Sequence, residues 1–234
     1  ISCDMIYHFG NNYMHFYNSF IAQLALLEKY GVNLSLPIIV PEILTKTNFF
    51  KQALLLFPKL ATLDFIPTDK KIIRAKKMYF AKSNPYTIET YGLVSKFLQL
   101  NNKAAPTKNI FLNRNPQSYR SLKNNNEVCS ILKDRGFTEI ITDKMTLKEQ
   151  IETFQSAQNI VAIHGAGLGN LLFSFPNKVN LLEIFSKKHI LPGYYSIIHE
   201  MGGNYVPILG EDENKEGQFV LDPNVLKLKL DSWL

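Results

Sequence analysis

The run His164-Gly165-Ala166-Gly167-Leu168-Gly169-Asn170 sets three glycines at alternate positions directly behind the apolar stretch Ile160-Val161-Ala162-Ile163. The stretch reads as a buried strand, and residues 168–174 read as the helix it enters. A turn between a strand end and a helix start presents backbone N–H groups and the positive end of the helix dipole. That arrangement suits phosphate or pyrophosphate. Glycines at 165, 167 and 169 are expected to allow close backbone approach and positive φ. The dinucleotide fingerprint does not apply, because Asn170 stands where that pattern has Gly or Ala. A turn that merely packs a helix on a strand is the plain alternative.

Four further side chains have the chemistry to accompany a phosphate. His164 sits at the strand end, where it either contacts a diphosphate or sugar or hydrogen-bonds a backbone carbonyl. Glu183 is expected to close the next strand, where a carboxylate accepts hydrogen bonds from ribose hydroxyls; an exposed strand-end Glu is the alternative. Arg114 leaves the first strand of this half at the same sheet edge, and Arg120 follows on the connecting loop. Guanidinium forks suit diphosphate oxygens and stabilise a departing nucleotide, although ordinary surface ion pairs would also explain them. In the first half, His15 lies in the first turn of a long helix, whose positive end disfavours imidazolium. A neutral imidazole there can take a proton from a hydroxyl, or it can be structural. No Asp-x-Asp pair follows a strand, so no metal clamp is expected. No serine elbow, Cys–His pairing or zinc spacing occurs.

The elements that must carry these residues are clearest in the second half. Residues 108–113 read as a strand ended by Arg114-Asn115-Pro116. A helix with Val128, Ile131 and Leu132 on one side ends at Gly136, and 137–141 is a strand. Thr146 and Glu149 have capping-box spacing ahead of Leu147, Ile151 and Phe154. Strands at 160–163, 179–185 and 205–209 alternate with helices at 168–174 and 194–201. This order predicts a doubly wound parallel sheet. Asp222-Pro223 begins either a last helix or, from the alternation over 225–230, a strand.

The first half repeats the theme more diffusely. A helix over 13–30 aligns Phe16, Phe20, Leu24 and Leu27 and stops at Gly31. Strands at 37–40 and 62–66 flank a helix at 48–57, residues 72–80 read as extended, and a helix runs over 86–100. The polar, proline-bearing residues 101–107 form the expected linker, and 211–216 an exposed acidic loop.

Hydrophobic residues make up 46% of the 234 and charged residues 20%, a balance that builds a core without disulfides. Cys3 and Cys129 lie far apart, which fits a reducing compartment. The apolar stretch at 21–27 is stopped by Glu28 and Lys29, well short of the about 20 residues of a membrane span. The net charge of +6 suits an anionic partner. Its densest cluster, Lys70, Lys71, Arg74, Lys76 and Lys77, reads as a solvated loop or a surface for anionic lipid headgroups. No aromatic-interleaved basic motif accompanies it, so nucleic acid is not an expected partner.

Taken together, Phe111-Leu112-Asn113-Arg114 through Arg120, Asn126-Glu127, Gly136-Phe137, Leu147 with Glu149-Gln150, and Ile163 through Asn170 to Phe173 resemble glycosyltransferase family 61. Asn12-Tyr13-Met14-His15-Phe16 is similar to that family's Asn-x-x-His-aromatic element, and the likeness extends from about residue 8 to 208. The resemblance implies an α/β protein of GT-B type, with two Rossmann-like domains facing across a cleft. Residues 1–104 would be the N-terminal acceptor domain and 105–234 the C-terminal nucleotide-sugar donor domain. It implies inverting transfer from a nucleotide-sugar, often a UDP-sugar, to a hydroxyl of a glycan or lipid-linked glycan. Arg114, Arg120, His164, Gly165, Ala166, Gly167, Asn170 and Glu183 would then be donor-site positions and His15 the cleft residue of the first domain, where its neutral imidazole is the expected catalytic base. No cofactor or metal is implied. The expected setting is cytoplasmic, with peripheral membrane contact through the basic cluster. A non-catalytic nucleotide- or sugar-binding partner subunit is the competing reading, and a dehydrogenase is disfavoured by Asn170.

Overall fold

The computed structural model describes residues 10–69, 73–102, 105–211, 214 and 217–234. Cys3, Lys70, Lys71, part of the expected linker and most of the acidic stretch lie outside them. The chain divides into two compact units, one of Ile1–Asn102 with Gly169–Phe175 and one of Lys103–Leu168 with Pro176–Leu234.

The first unit opens with a helical run of three parts, Tyr13–His15, a π-helical Phe16–Ile21, and Ala22–Lys29. Asn12 caps it, its Oδ1 accepting from the His15 N–H at 3.2 Å. Phe16, Phe20, Leu24 and Leu27 are buried as expected, but so are Tyr17, Ile21 and Ala25, so the run is enclosed nearly all round. Two strands, β1 (Ile38–Pro41) and β2 (Phe65–Thr68), pair in parallel. Helices Glu42–Lys46, Asn48–Leu56 and Pro58–Ala61 make the crossover between them. Residues 73–80 form no strand. Among the described residues the sheet of this unit therefore stops at two strands, which falls short of the Rossmann-like layer expected for the first half. The exposed, basic Arg74, Lys76 and Lys77 offer no apolar face with which to join a sheet.

The helix behind the glycine run, Leu171–Ser174, belongs to this first unit. Asn102 Nδ2 donates to the carbonyls of Phe173 at 3.2 Å, Ser174 at 3.0 Å and Phe175 at 3.3 Å. The rings of Tyr17 and Phe173 meet edge to face, 5.5 Å apart.

The second unit holds five strands: β3 (Lys108–Leu112), β4 (Thr138–Ile140), β5 (Ala157–Ile163), β6 (Asn180–Ser186) and β7 (Tyr205–Gly210). They form one wholly parallel sheet in the order β4-β3-β5-β6-β7. The chain winds outward in both directions from β3, so the order reverses between β3 and β5. In open sheets of this kind the crevice beyond the carboxyl ends at that reversal is where ligands bind. Ile160 to Ile163 are at most 2% exposed, as a strand covered on both faces requires. Phe111, Val161, Ile163, Leu182, Ile184 and Ile208 pack in one cluster with Leu226, Leu230 and Trp233. The intervening residues of each strand, Glu183 and Tyr205 among them, face the other way.

Local rules decided the helix ends. Gly136, at φ +80°, follows the helix Asn125–Asp134 in the left-handed conformation open to glycine. The Thr146 hydroxyl accepts from the Glu149 N–H while the Glu149 carboxylate accepts from the Thr146 N–H at 2.7 Å. The ambiguous last segment is the helix Pro223–Trp233, capped by Asp222. The apparent strand alternation misleads because Leu226 and Leu230 are buried one turn apart while Leu228 is 68% exposed. No helix of the described residues is long and apolar enough to cross a membrane.

The capping box generates a first prediction. Thr146→Ala removes the hydroxyl that accepts from the Glu149 N–H, leaving the backbone bond to the Glu149 carboxylate, and should lower stability by about 1 kcal/mol, a fall of about 2–4 °C in Tm for a chain of this size. Lys148→Ala breaks only an exposed pair with Glu152 at 3.9 Å and should leave Tm within error in the same thermal scan.

Candidate functional site

At the exit of β3, Asn113 is buried and its side chain joins two elements. Its Nδ2 donates to Glu139 Oε1 at 2.6 Å and Asn125 Oδ1 at 2.8 Å, while its Oδ1 accepts from the Arg114 N–H at 2.8 Å. So fixed, Arg114 crosses to the end of β5. Its Nη1 donates to the His164 carbonyl at 3.3 Å and its Nε to the Tyr119 carbonyl at 3.1 Å. A Cβ on residue 165 would overlap that same Nη1, so the position has to be glycine for the guanidinium to lie there. Gly167 likewise adjoins Thr142 Oγ1, 3.2 Å from where its Cβ would be, and Gly169 adjoins the Met14 backbone. None of the three has positive φ, contrary to expectation. Their lack of a side chain serves close packing instead.

Arg114 and Arg120 line a pocket with Ser118, with Ile141, Thr142 and Asp143 behind β4, and with Ala166 and Gly167 behind β5. It lies beyond the carboxyl ends of three adjacent strands, at the reversal of strand order. Burial, and then the neighbouring Arg120 guanidinium, pull the Arg114 pKa down to about 10, against the pull of Asp143. Arg120 is also lowered, chiefly by burial. Among the described residues neither makes an ion pair, and Arg120 Nε is buried without a hydrogen-bond partner. Arg120 further adopts φ +65°, a left-handed conformation costly for a side chain of its size. Two partly desolvated cations in one pocket repel each other, and a dianion between them would relieve both.

On the opposite face from the apolar cluster, the buried His164 ring meets Glu183, with Nδ1 2.6 Å from Glu183 Oε1. Tyr205 donates its hydroxyl to Glu183 Oε2 at 2.7 Å, and burial with the adjacent carboxylate pushes its own pKa up. Phe185 stacks on the imidazole at 5.0 Å. The arrangement assigns the ring proton to Nδ1 and leaves Nε2 without a hydrogen bond among the described residues. This corrects the expectation for Glu183. It does not end its strand, since β6 continues to Ser186, and it is 0% exposed with both oxygens engaged. A ribose cannot reach it; Glu183 positions His164. Tyr205 was missed in the sequence, where only its place beside β6 would have marked it.

Two expected site residues lie in the first unit. Asn170 is 0% exposed and its Oδ1 accepts from the Tyr13 hydroxyl at 2.5 Å, so it serves packing there rather than the arginine pocket. His15 is half-buried, its Nδ1 3.3 Å from Ser19 Oγ. Burial lowers its pKa, which keeps the ring neutral at pH 7. The π-helical turn that begins at Phe16, directly after it, left no trace in the sequence periodicity.

The fold and pocket define an α/β protein with an arginine-lined pocket at the carboxyl edge of a doubly wound sheet. The glycosyltransferase 61 family model matches residues 13–181, well over half of the sequence, and the chain belongs to glycosyltransferase family 61. Membership places it among the glycosyltransferases. The match includes His15, Arg114, Arg120 and the whole glycine run and stops just short of Glu183. No curated protein matches the chain.

Removing Glu183 should expose how much rests on it. Glu183→Ala leaves the buried His164 Nδ1 and Tyr205 hydroxyl without partners and should cost about 3–5 kcal/mol in denaturant unfolding. Glu183→Gln, which keeps one acceptor, should cost clearly less.

Proposed function

We propose that this chain is an inverting glycosyltransferase that moves a sugar from a nucleotide-sugar, a UDP-sugar by family resemblance, to a hydroxyl of a glycan or glycoconjugate. The carrying observation is the pair of partly desolvated arginines at the strand-order reversal, neither in an ion pair among the described residues, a setting that favours a diphosphate. In this reading the chain has a GT-B arrangement of an acceptor domain, 1–104, and a donor domain, 105–234. Arg114 and Arg120 hold the diphosphate over Gly165, Ala166 and Gly167, and His164 contacts the donor through Nε2. The exposed Arg74, Lys76 and Lys77 support peripheral contact with anionic lipid headgroups where the acceptor is lipid-linked.

The reaction is a single displacement. The acceptor oxygen bonds to the anomeric carbon as the carbon–oxygen bond to the diphosphate breaks on the opposite face, which inverts the configuration. His15 takes the acceptor's proton, and the charge gathering on the leaving diphosphate falls to the two arginines rather than to a metal.

Arg114→Ala should weaken binding of a nucleoside diphosphate by about 10- to 100-fold in calorimetry, the loss of one charge-assisted pair. His15→Ala should instead reduce turnover by about 100-fold or more with nearly unchanged nucleotide affinity. Because burial lowers the His15 pKa, its neutral form persists below the ordinary imidazole range. The acid limb of the pH–rate profile should accordingly fall below about pH 6.5. Full turnover in His15→Ala, or an acid limb above that value, would contradict the assignment of the base.

A further inference from the structure

We infer that Asp143, in the turn behind β4, accepts hydrogen bonds from the ribose hydroxyls of the donor's nucleoside, making the pocket selective for ribonucleotides over 2′-deoxyribonucleotides. The inference rests on the diphosphate reading of the arginine pocket and gives that pocket a direction, phosphates at Arg114 and Arg120 and nucleoside towards β4.

Three observations carry it. First, the exposed Asp143 lines the same pocket as the two arginines and its charge attracts Arg114, yet among the described residues it makes neither a salt bridge nor a hydrogen bond. A free carboxylate beside an anion site opposes the anion by charge repulsion. A bound molecule that brings hydroxyl donors to that end would offset the repulsion. Second, the turn is held rigid. The buried Gln150 donates from Nε2 to the carbonyls of Thr142 and Met145, both at 3.2 Å, and the Lys144 N–H closes the turn onto the Ile141 carbonyl at 3.0 Å. The Asp143 side chain is left uncommitted within that frame. Third, β4 lies directly beside β3, the first strand of the sheet. In dinucleotide-binding sheets, an acidic residue in the region behind the second strand, next to the first, receives the ribose hydroxyls. The carboxylate required for that role is present at β4, whereas Glu183 is closed off inside β6.

The test is calorimetric titration of the whole chain with UDP, GDP and CDP, each against its 2′-deoxy counterpart, and with pyrophosphate. The ribonucleotide that binds should exceed its deoxy form by 10-fold or more. Asp143→Asn should shrink that ratio to within about 3-fold while pyrophosphate binds as well as before or better, because a repelling charge has gone. Equal binding of ribo and deoxy forms by the unaltered chain, or an unchanged ratio in Asp143→Asn, would overturn the inference yet leave the diphosphate reading standing. If neither pyrophosphate nor any nucleoside diphosphate binds, the diphosphate reading itself fails. A ratio that holds while affinity for an intact nucleotide-sugar drops would assign Asp143 to the transferred sugar and overturn the ribose role.

Discussion

The guanidinium of Arg114 lies in the space that a side chain on residue 165 would occupy, and the pocket at the carboxyl edge of the sheet is arranged around that contact. Asn113 aims it from the end of β3, the His164 carbonyl receives it at the end of β5, and the missing Cβ of Gly165 gives it room. The contact spans the two strands between which the sheet reverses its winding. A long cationic side chain is thereby held in a crevice that the topology leaves open at the carboxyl edge. Arg120, in a backbone conformation few residues of its type adopt, adds a second cation to the same space.

Placing two cations in this crevice has a cost: burial lowers the pKa of each, and the Arg120 charge lowers that of Arg114 further. Proteins retain such repulsion where a ligand relieves it, and a leaving diphosphate does so most when its charge is greatest, as the glycosidic bond breaks. The glycine run thus acts through what it admits. Its three glycines make space for Arg114, for Thr142 and for the Met14 backbone. The buried His164–Glu183–Tyr205 chain sets the opposite face of the same strand ends. It fixes one ring nitrogen of His164 and leaves the other without a hydrogen bond among the described residues.

Much of this was legible in the sequence wherever a local rule governs. The Thr146–Glu149 capping box, Gly136 behind its helix and the continuous apolar strand at 160–163 are decided by neighbours within a few residues, and each formed as read. Arg114 and Arg120 could be placed at the carboxyl edge of the sheet because β3 could be seen to end just before them. Failures came where distant residues decide the outcome. Glu183 was misread because the length of β6, and Tyr205 from the adjoining strand, determine its burial. Asn170 was misassigned because Tyr13, far away in sequence, claims its side chain. Asp143 was overlooked because nothing local links the β4 turn to β3; only the sheet order brings it beside the arginines. The last helix lay between these cases, its cap read correctly and its pattern ambiguous until Leu226 and Leu230 were seen buried together.

The most direct measurement of the central claim is an experimental structure of the chain with a bound nucleoside diphosphate. The account predicts phosphate oxygens within hydrogen-bond distance of the guanidinium groups of both Arg114 and Arg120, beside Gly165 at the ends of β3 and β5. A diphosphate bound elsewhere, with those two side chains still turned only to the protein's own carbonyls, would contradict it.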